Sequence, residues 1–342
     1  MSEQSTTVAS QTERGESPDT LRRIMGGSVG RNLGLVIALA LLVIVGAVTA
    51  GDRFASVGNF LTIIRFASII GVISIGMTLV IIAGGIDLSV GSVMGLSTVV
   101  ASLAAVQLAA TQTSWIVMVL VALFVGASAG LVNGIVIAYG NVVAFMATLA
   151  MLVGARGLAE LISAKRTQIV TNTGFLDFTR SDILGVPILI WIFAIVAAAG
   201  WFLLNRTTFG RRTVAIGGNR EASRLAGIKV RRHTVYLYVL SGITAGIAAV
   251  MMLGRTTAGT STHGMLYELD AIAAVVVGGT LLIGGRGTIV GTVLGVLIFS
   301  TLTNVFIQNN LDNSVQAVTK GAIIVVAVLL QQRFAGRGTR TG

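Results

Sequence analysis

From residue 33 onward the chain alternates apolar runs of bilayer length with short polar breaks. The runs fall at 33–50, 60–83, 89–110, 115–139, 142–162, 187–204, 236–253, 271–284, 289–306 and 320–330. Read as helices, they predict an all-α polytopic membrane protein with about ten transmembrane crossings and both ends of the chain on one side. Residues 1–31 are polar, rich in Ser and Thr and mixed in charge, which predicts a disordered cytoplasmic tail rather than a signal peptide. Residues 32–332 make the membrane domain, and 333–342 a second cytoplasmic tail. Gly126, Ala129, Gly130 and Gly134 give the fourth run a small-residue face that a neighbouring helix can approach closely.

Two acidic, glycine-rich interruptions break this pattern. The first, Gly84-Gly85-Ile86-Asp87-Leu88-Ser89-Val90-Gly91-Ser92, joins the second and third runs. An Asp at mid-bilayer costs roughly 2.5–3.5 kcal/mol, so Asp87 either meets a cavity or a polar partner at depth, or caps the next helix from a shallow turn. Gly84, Gly85 and Gly91 suit bent backbone, which a membrane tolerates only beside protein or a water-filled path. The second interruption, Tyr267-Glu268-Leu269-Asp270, leads into the eighth run. There Glu268 and Asp270 are expected at the outer surface, docking an external partner or capping the helix.

Asp87 precedes Gly95 by eight residues, as Asp270 precedes Gly278. Runs two to five also begin on the opposite side from runs seven to ten, the arrangement of an inverted repeat with discontinuous helices. Arg156 and Glu160, four apart in the fifth run, are predicted to pair along one helical face. Lys320 and Arg65 are expected to snorkel or to meet carboxylates.

Composition agrees with the runs: 54% of the residues are hydrophobic and 11% charged, against about 25% charged in soluble domains. The net charge of +11 invites a nucleic-acid reading, which the distribution of charge argues against. Sixteen of the 24 basic residues lie in 1–31, 205–234, the turn at Arg286 and 333–342, all on one side of the predicted topology. The positive-inside rule makes that side cytoplasmic.

The loop 205–234 carries eight of these basic residues and one Glu. After Gly217-Gly218, Asn219 is placed to cap a helix over 220–226, Glu221 sits in its first turn, and Gly227 suits a left-handed stop. Ala222, Leu225 and Ala226 share one face, Arg220 and Arg224 another. A helix of about seven residues is not stable alone in water. It is either a solvated connector or a small helix seated in a groove of a cytoplasmic partner.

Cysteine is absent, and His233 and His263 fall on opposite sides of the membrane, which argues against disulfides and metal sites. No nucleophile–base spacing is visible, and Gly84-Gly85 and Gly278-Gly279 lack the Lys-Ser/Thr of a phosphate loop. The chain is therefore not expected to be an enzyme, and energy for uphill transport has to come from elsewhere. A stand-alone ion-coupled carrier with Asp87 as titrating group is one class that these residues allow.

Five blocks in order, GGIDLSVGS (84–92), 144–150 with Arg156-Gly157-Leu158-Ala159, the loop 210–227, YELDAIAAVVVGGT (267–280) and GGRG (284–287), resemble the permease subunits of bacterial ABC importers for simple sugars of the ribose, xylose and galactose type. The resemblance covers about residues 30–332 and implies a type II importer-like fold in the bacterial inner membrane. It also implies a second permease copy, an ATPase subunit that uses ATP and magnesium, and an extracytoplasmic sugar-binding protein. By resemblance 218–227 is the coupling helix, and Asp87, Ser89 and their neighbours lie near the substrate path, for which Gly84, Gly85, Asn141, Phe145 and Thr148 are further candidates. Relatives commonly carry Pro before the fifth-span block and Gly at its end, where this chain has Val143 and Ala150, which predicts a straighter helix.

Overall fold

The computed structural model describes residues 28–336. Within a bilayer a backbone polar group has to be satisfied inside its own segment, so the apolar runs become helices. In order they are α1 Ser28–Ala50, α2 Val57–Ile82, the short pair α3 Val90–Ala101 and α4 Ala104–Gln112, α5 Ile116–Ala138, α6 Ala144–Ser163, α7 Thr173–Arg180 and α8 Ile188–Arg206. Then follow α9 Thr208–Gly218, α10 Arg220–Leu225, α11 Val230–Thr256, α12 Tyr267–Val277, α13 Ile289–Gln308 and α14 Asn313–Gly336. Two antiparallel strand pairs lie in the loops: β1 Gln168–Ile169 with β4 Ala258–Gly259, and β2 Asp182–Ile183 with β3 Val186–Pro187.

Two of the about ten expected runs are broken or shortened, the discontinuity expected of some of them. Among the described residues seven helices are long and apolar enough to span a bilayer, or eight if α3 and α4, bent by 59°, count as one. The run 89–110 breaks at Ser102-Leu103. The run 271–284 shrinks to the eleven-residue α12, because Gly278 caps it and Gly279 takes φ +88°, a left-handed conformation that favours glycine. The run 320–330 lies within α14, and α6 is continuous over its 20 residues. Of the predicted tails, 1–27 and 337–342 lie outside the described residues, while 28–31 and 333–336 already belong to α1 and α14.

The core is the antiparallel set α2, α5, α11 and α13. Gly126 and Gly242 face each other so closely that a Cβ on either would overlap the other's carbonyl, and Gly130 and Gly134 lie as closely on Tyr238 and Val235. The expected small-residue face therefore lets α5 and α11 cross backbone to backbone. On the opposite side α13 crosses α2, tied by Thr78 and Thr292 with their hydroxyls 2.7 Å apart.

These contacts recur in inverted form. α11 packs on α5 as α2 packs on α13, and α3 packs on α5, α6 and α11 as α12 packs on α13, α14 and α2. Both half-length helices start inside the bundle: Gly91, in the first turn of α3, lies against Gly264 and Glu268 at the start of α12. From there α3 runs toward the end of the bundle carrying β1 and β4, the far end, and α12 toward the end carrying α9 and α10, the basic end.

Candidate functional site

Asp87 sits in the break between α2 and α3 and is 1% exposed. The break exists because Gly84, at φ +79°, closes α2: the Gly84 and Gly85 N–H groups turn back to the Ile81 and Val80 carbonyls. The chain then reverses, and Asp87 accepts three hydrogen bonds from two residues. Its Oδ1 accepts from the Ser89 N–H (3.0 Å) and the Ser89 hydroxyl (2.6 Å), and its Oδ2 from the Ser241 hydroxyl of α11 (2.8 Å). Asn133 of α5 donates to Ser89 Oγ (2.9 Å), and the Tyr238 hydroxyl to the Ile86 carbonyl (3.2 Å). Among the described residues no cation pairs with Asp87. A buried carboxylate without a counter-ion persists when hydrogen bonds replace its hydration. Asp87 thus has buried polar partners, while α3 itself begins after Ser89 without a side-chain cap.

Beside this turn a cavity of about 380 Å³ is lined by Gly84, Gly85, Asn141, Thr234, Tyr238 and Arg220, with apolar walls from α2, α5 and α11. Arg220 is the first residue of α10, so the cavity lies at the basic end. α10 forms as its sequence predicts: Asn219 Oδ1 accepts from the Ala222 N–H (2.9 Å), and Gly227 takes φ +81° just beyond the helix. Glu221 pairs with Arg224 at 2.6 Å on the surface. Ala222, Leu225 and Ala226 are all exposed, Leu225 by 78%, while Ser223 faces inward.

At the far end the segment 258–266 lies along α3 as a strap. Glycines make the seat: a Cβ on Gly91 would overlap the Gly264 carbonyl, one on Gly95 would stand 2.8 Å from the His263 carbonyl, and one on Gly259 2.5 Å from that of Thr98. Side chains fasten it. The Arg156 guanidinium donates to the Ser261 and His263 carbonyls, the latter at 2.8 Å. β4 pairs with β1, whose neighbour Thr171 donates to Gln107 Oε1 through its N–H (2.7 Å), while Gln107 Nε2 donates to the Ile169 carbonyl (2.9 Å). Burial, and then the charges of Arg156 and Arg255, push the His263 imidazole down to about 4, which keeps it neutral near pH 7.

The predicted path residues therefore separate. Gly84, Gly85 and Asn141 line the cavity; Asp87, Ser89 and Thr148 are buried behind it; Phe145 is exposed on α6. Thr148 turns its hydroxyl to the Ala144 carbonyl of its own helix (2.9 Å). Glu268 and Asp270 do not form an exposed acidic pair: Glu268 is 8% exposed against Gly91, and Asp270 pairs with Lys320 at 3.3 Å. Nor do Arg156 and Glu160 pair with each other. Arg156 serves the strap, and Glu160 meets Lys165 at 3.8 Å. Ser241, Asn133 and Tyr238 complete the site unannounced by the sequence, and Arg220, read there only as part of the short basic-loop helix, joins the cavity wall. Asn133 alone left a signal, as an amide in an otherwise apolar run.

Comparison with known proteins follows this geometry. Residues 59–328 match the family model described as branched-chain amino acid transport system / permease component. The ribose import permease protein of Escherichia coli (strain K12) is 39% identical over 303 residues, covering 86% of this chain and 92% of that protein. The ribose import permease protein of Bacillus subtilis (strain 168) is 39% identical over 314 residues, 91% of this chain and 96% of its own. The L-arabinose transport system permease protein of E. coli (strain K12) is 36% identical over 323 residues, 92% and 94% of the two chains. No solved structure matches the chain. With its two interrupted half-helices inside a bundle of apolar spans, and with the family model covering most of its length, this chain belongs to the permease-component family of the branched-chain amino acid transport system type.

Proposed function

We propose that the chain is the membrane permease subunit of an ATP-driven ABC importer, carrying a sugar delivered by an extracytoplasmic binding protein. Its relatives include ribose and L-arabinose permeases. In this reading the basic end is cytoplasmic and both termini lie there, as the positive-inside rule requires. A second permease copy completes the path, and a separate ATPase subunit holds ATP and magnesium.

The observation that carries the reading is α10. It is a capped helix of six residues that leaves Ala222, Leu225 and Ala226 bare to solvent. A helix this short gains its stability from a surface to dock on, and a bare apolar face on a charged end fits the groove of a cytoplasmic ATPase. The ATPase pulls α10 as its nucleotide-binding domains close, and the bundle alternates between a state open at the basic end, with the cavity at Gly84 and Asn141, and one open at the far end. The sugar is released into the cavity past Asn141, Thr234 and Tyr238. Tight capture belongs to the binding protein, because a path that holds sugar strongly releases it slowly.

Co-purification tests this. Wild type is expected to retain an ATPase subunit, identified by its phosphate-loop peptide, and the Leu225→Arg, Ala226→Asp double variant to lose it with membrane insertion intact. Equal retention by both would mean that α10 is only a connector.

A further inference from the structure

Three segments meet at the basic end with no side chain between them. Ile82, the last residue of α2, accepts a hydrogen bond at its carbonyl from the Gly285 N–H (2.8 Å), which joins the Asp87 turn to the 278–288 turn between α12 and α13. Gly217, in the last turn of α9, lies over that bond: a Cβ there would overlap the Ile82 carbonyl oxygen and stand 2.5 Å from Gly285 N. Gly284, at φ +89°, brings its Cα to the same place, where a Cβ would lie 2.9 Å from Gly84 N and 3.0 Å from the Gly217 carbonyl. A Cβ on Gly285, at φ +78°, would lie 3.1 Å from the Cα of Gly218. Beyond Ile82 the link continues through Ile86, held by Tyr238, to Asp87.

From this we infer that Gly217 is a positioning residue for transport: its missing side chain lets the coupling segment rest on the backbone of both interrupted turns, so one movement of α10 reaches both repeats together. The inference rests on the proposed importer function. Side chains at an interface can change rotamer and absorb a small displacement, whereas backbone in contact with backbone passes it on, as close-packed interiors do. Gly217 is three residues from α10, and each turn it touches leads into one of the two half-helices. Neighbouring Gly218 provides the contrast, because a Cβ on it would meet nothing within 4 Å.

The test uses the purified permease–ATPase complex. The chain has no cysteine, so a single Thr98→Cys, buried under the strap, reports far-end opening through its rate of thiol labelling with and without ATP. Gly217→Ala is expected to keep the ATPase bound and hydrolysing while the ATP-dependent change in labelling falls about tenfold, within the usual range of coupling between sites. Gly218→Ala is expected to behave as wild type. Equal ATP responses in the two variants would overturn the inference. Absence of the ATPase from the wild-type preparation would instead sink the importer reading.

A second arm does not depend on Gly217→Ala folding. Cysteines at the exposed positions 218 and 283, bridged by a short cleavable bifunctional thiol reagent, should leave the ATP response intact, because the segments move as one body. A response abolished by bridging and restored by cleaving the bridge would show that the junction opens in the cycle, contrary to the inference.

Discussion

The far-end strap and the basic-end junction both bring backbone against backbone through glycines, yet they are fastened differently. At the far end the glycines only make room, and the holding is done by Arg156, Gln107 and the β1–β4 pairing. At the basic end no side chain intervenes where Gly217, Ile82 and Gly285 meet. Hydrogen bonds from long side chains can be exchanged for water at modest net cost, so the strap is suited to letting go. The junction has no such exchange open to it, so it is suited to moving as a unit. Between them Asp87 draws on α3, α5 and α11 through Ser89, Asn133 and Ser241, and any movement of its turn is shared by those helices.

The largest effect expected at the far end comes from Arg156→Met, which keeps the apolar stem and removes two charge-assisted hydrogen bonds of roughly 1.5–3 kcal/mol each. Labelling at Thr98→Cys without ATP should rise by at least about a hundredfold, since each 1.4 kcal/mol is a factor of ten. Arg156→Lys should recover part of this, because both bonds leave a single nitrogen, Nη1, and an ammonium that reaches the same point can donate to both carbonyls. An unchanged labelling rate in both would mean that the strand pairing alone holds the strap.

A smaller effect is expected from His263. Its folded pKa lies below the unfolded value near 6.5, so its contribution to the closed strap is fully present above pH 6.5 and is lost as pH falls from 6.5 toward about 4. Measured relative to an exposed cysteine, which corrects for the loss of thiolate at low pH, labelling at Thr98→Cys should climb over that window in the parent chain and climb less in His263→Gln. Parallel pH profiles would remove His263 from the account.

How much of this was legible depended on whether a feature is local. α10 was, because its cap, its dipole charge and its glycine stop lie within nine residues, 219–227. The bends at Gly84 and Gly278 were visible as glycines, but that 271–284 would become a half-length helix depends on Gly291 and Gly295, which pack on α12 from α13. Asp87 stands out in the sequence as an acid between two apolar runs, whereas its partner Ser241 lies 154 residues away and is one serine among many. Arg156 and Glu160 had the spacing of a helical pair, but the strap carbonyls, invisible in the sequence, take the guanidinium. Glu268 was placed at the surface because the strap that carries it inward has no periodicity to read.

The most direct test of the contrast between the two ends is a pair of distance measurements in the assembled complex. Spin labels at Leu161→Cys and Thr262→Cys report the far end, and labels at Gly218→Cys and Ile283→Cys the basic end, all at exposed positions in a chain without native cysteine. On adding ATP with hydrolysis blocked, the far-end distance should change while the basic-end distance stays constant. A basic-end distance that changes while the far end stays fixed would contradict the account.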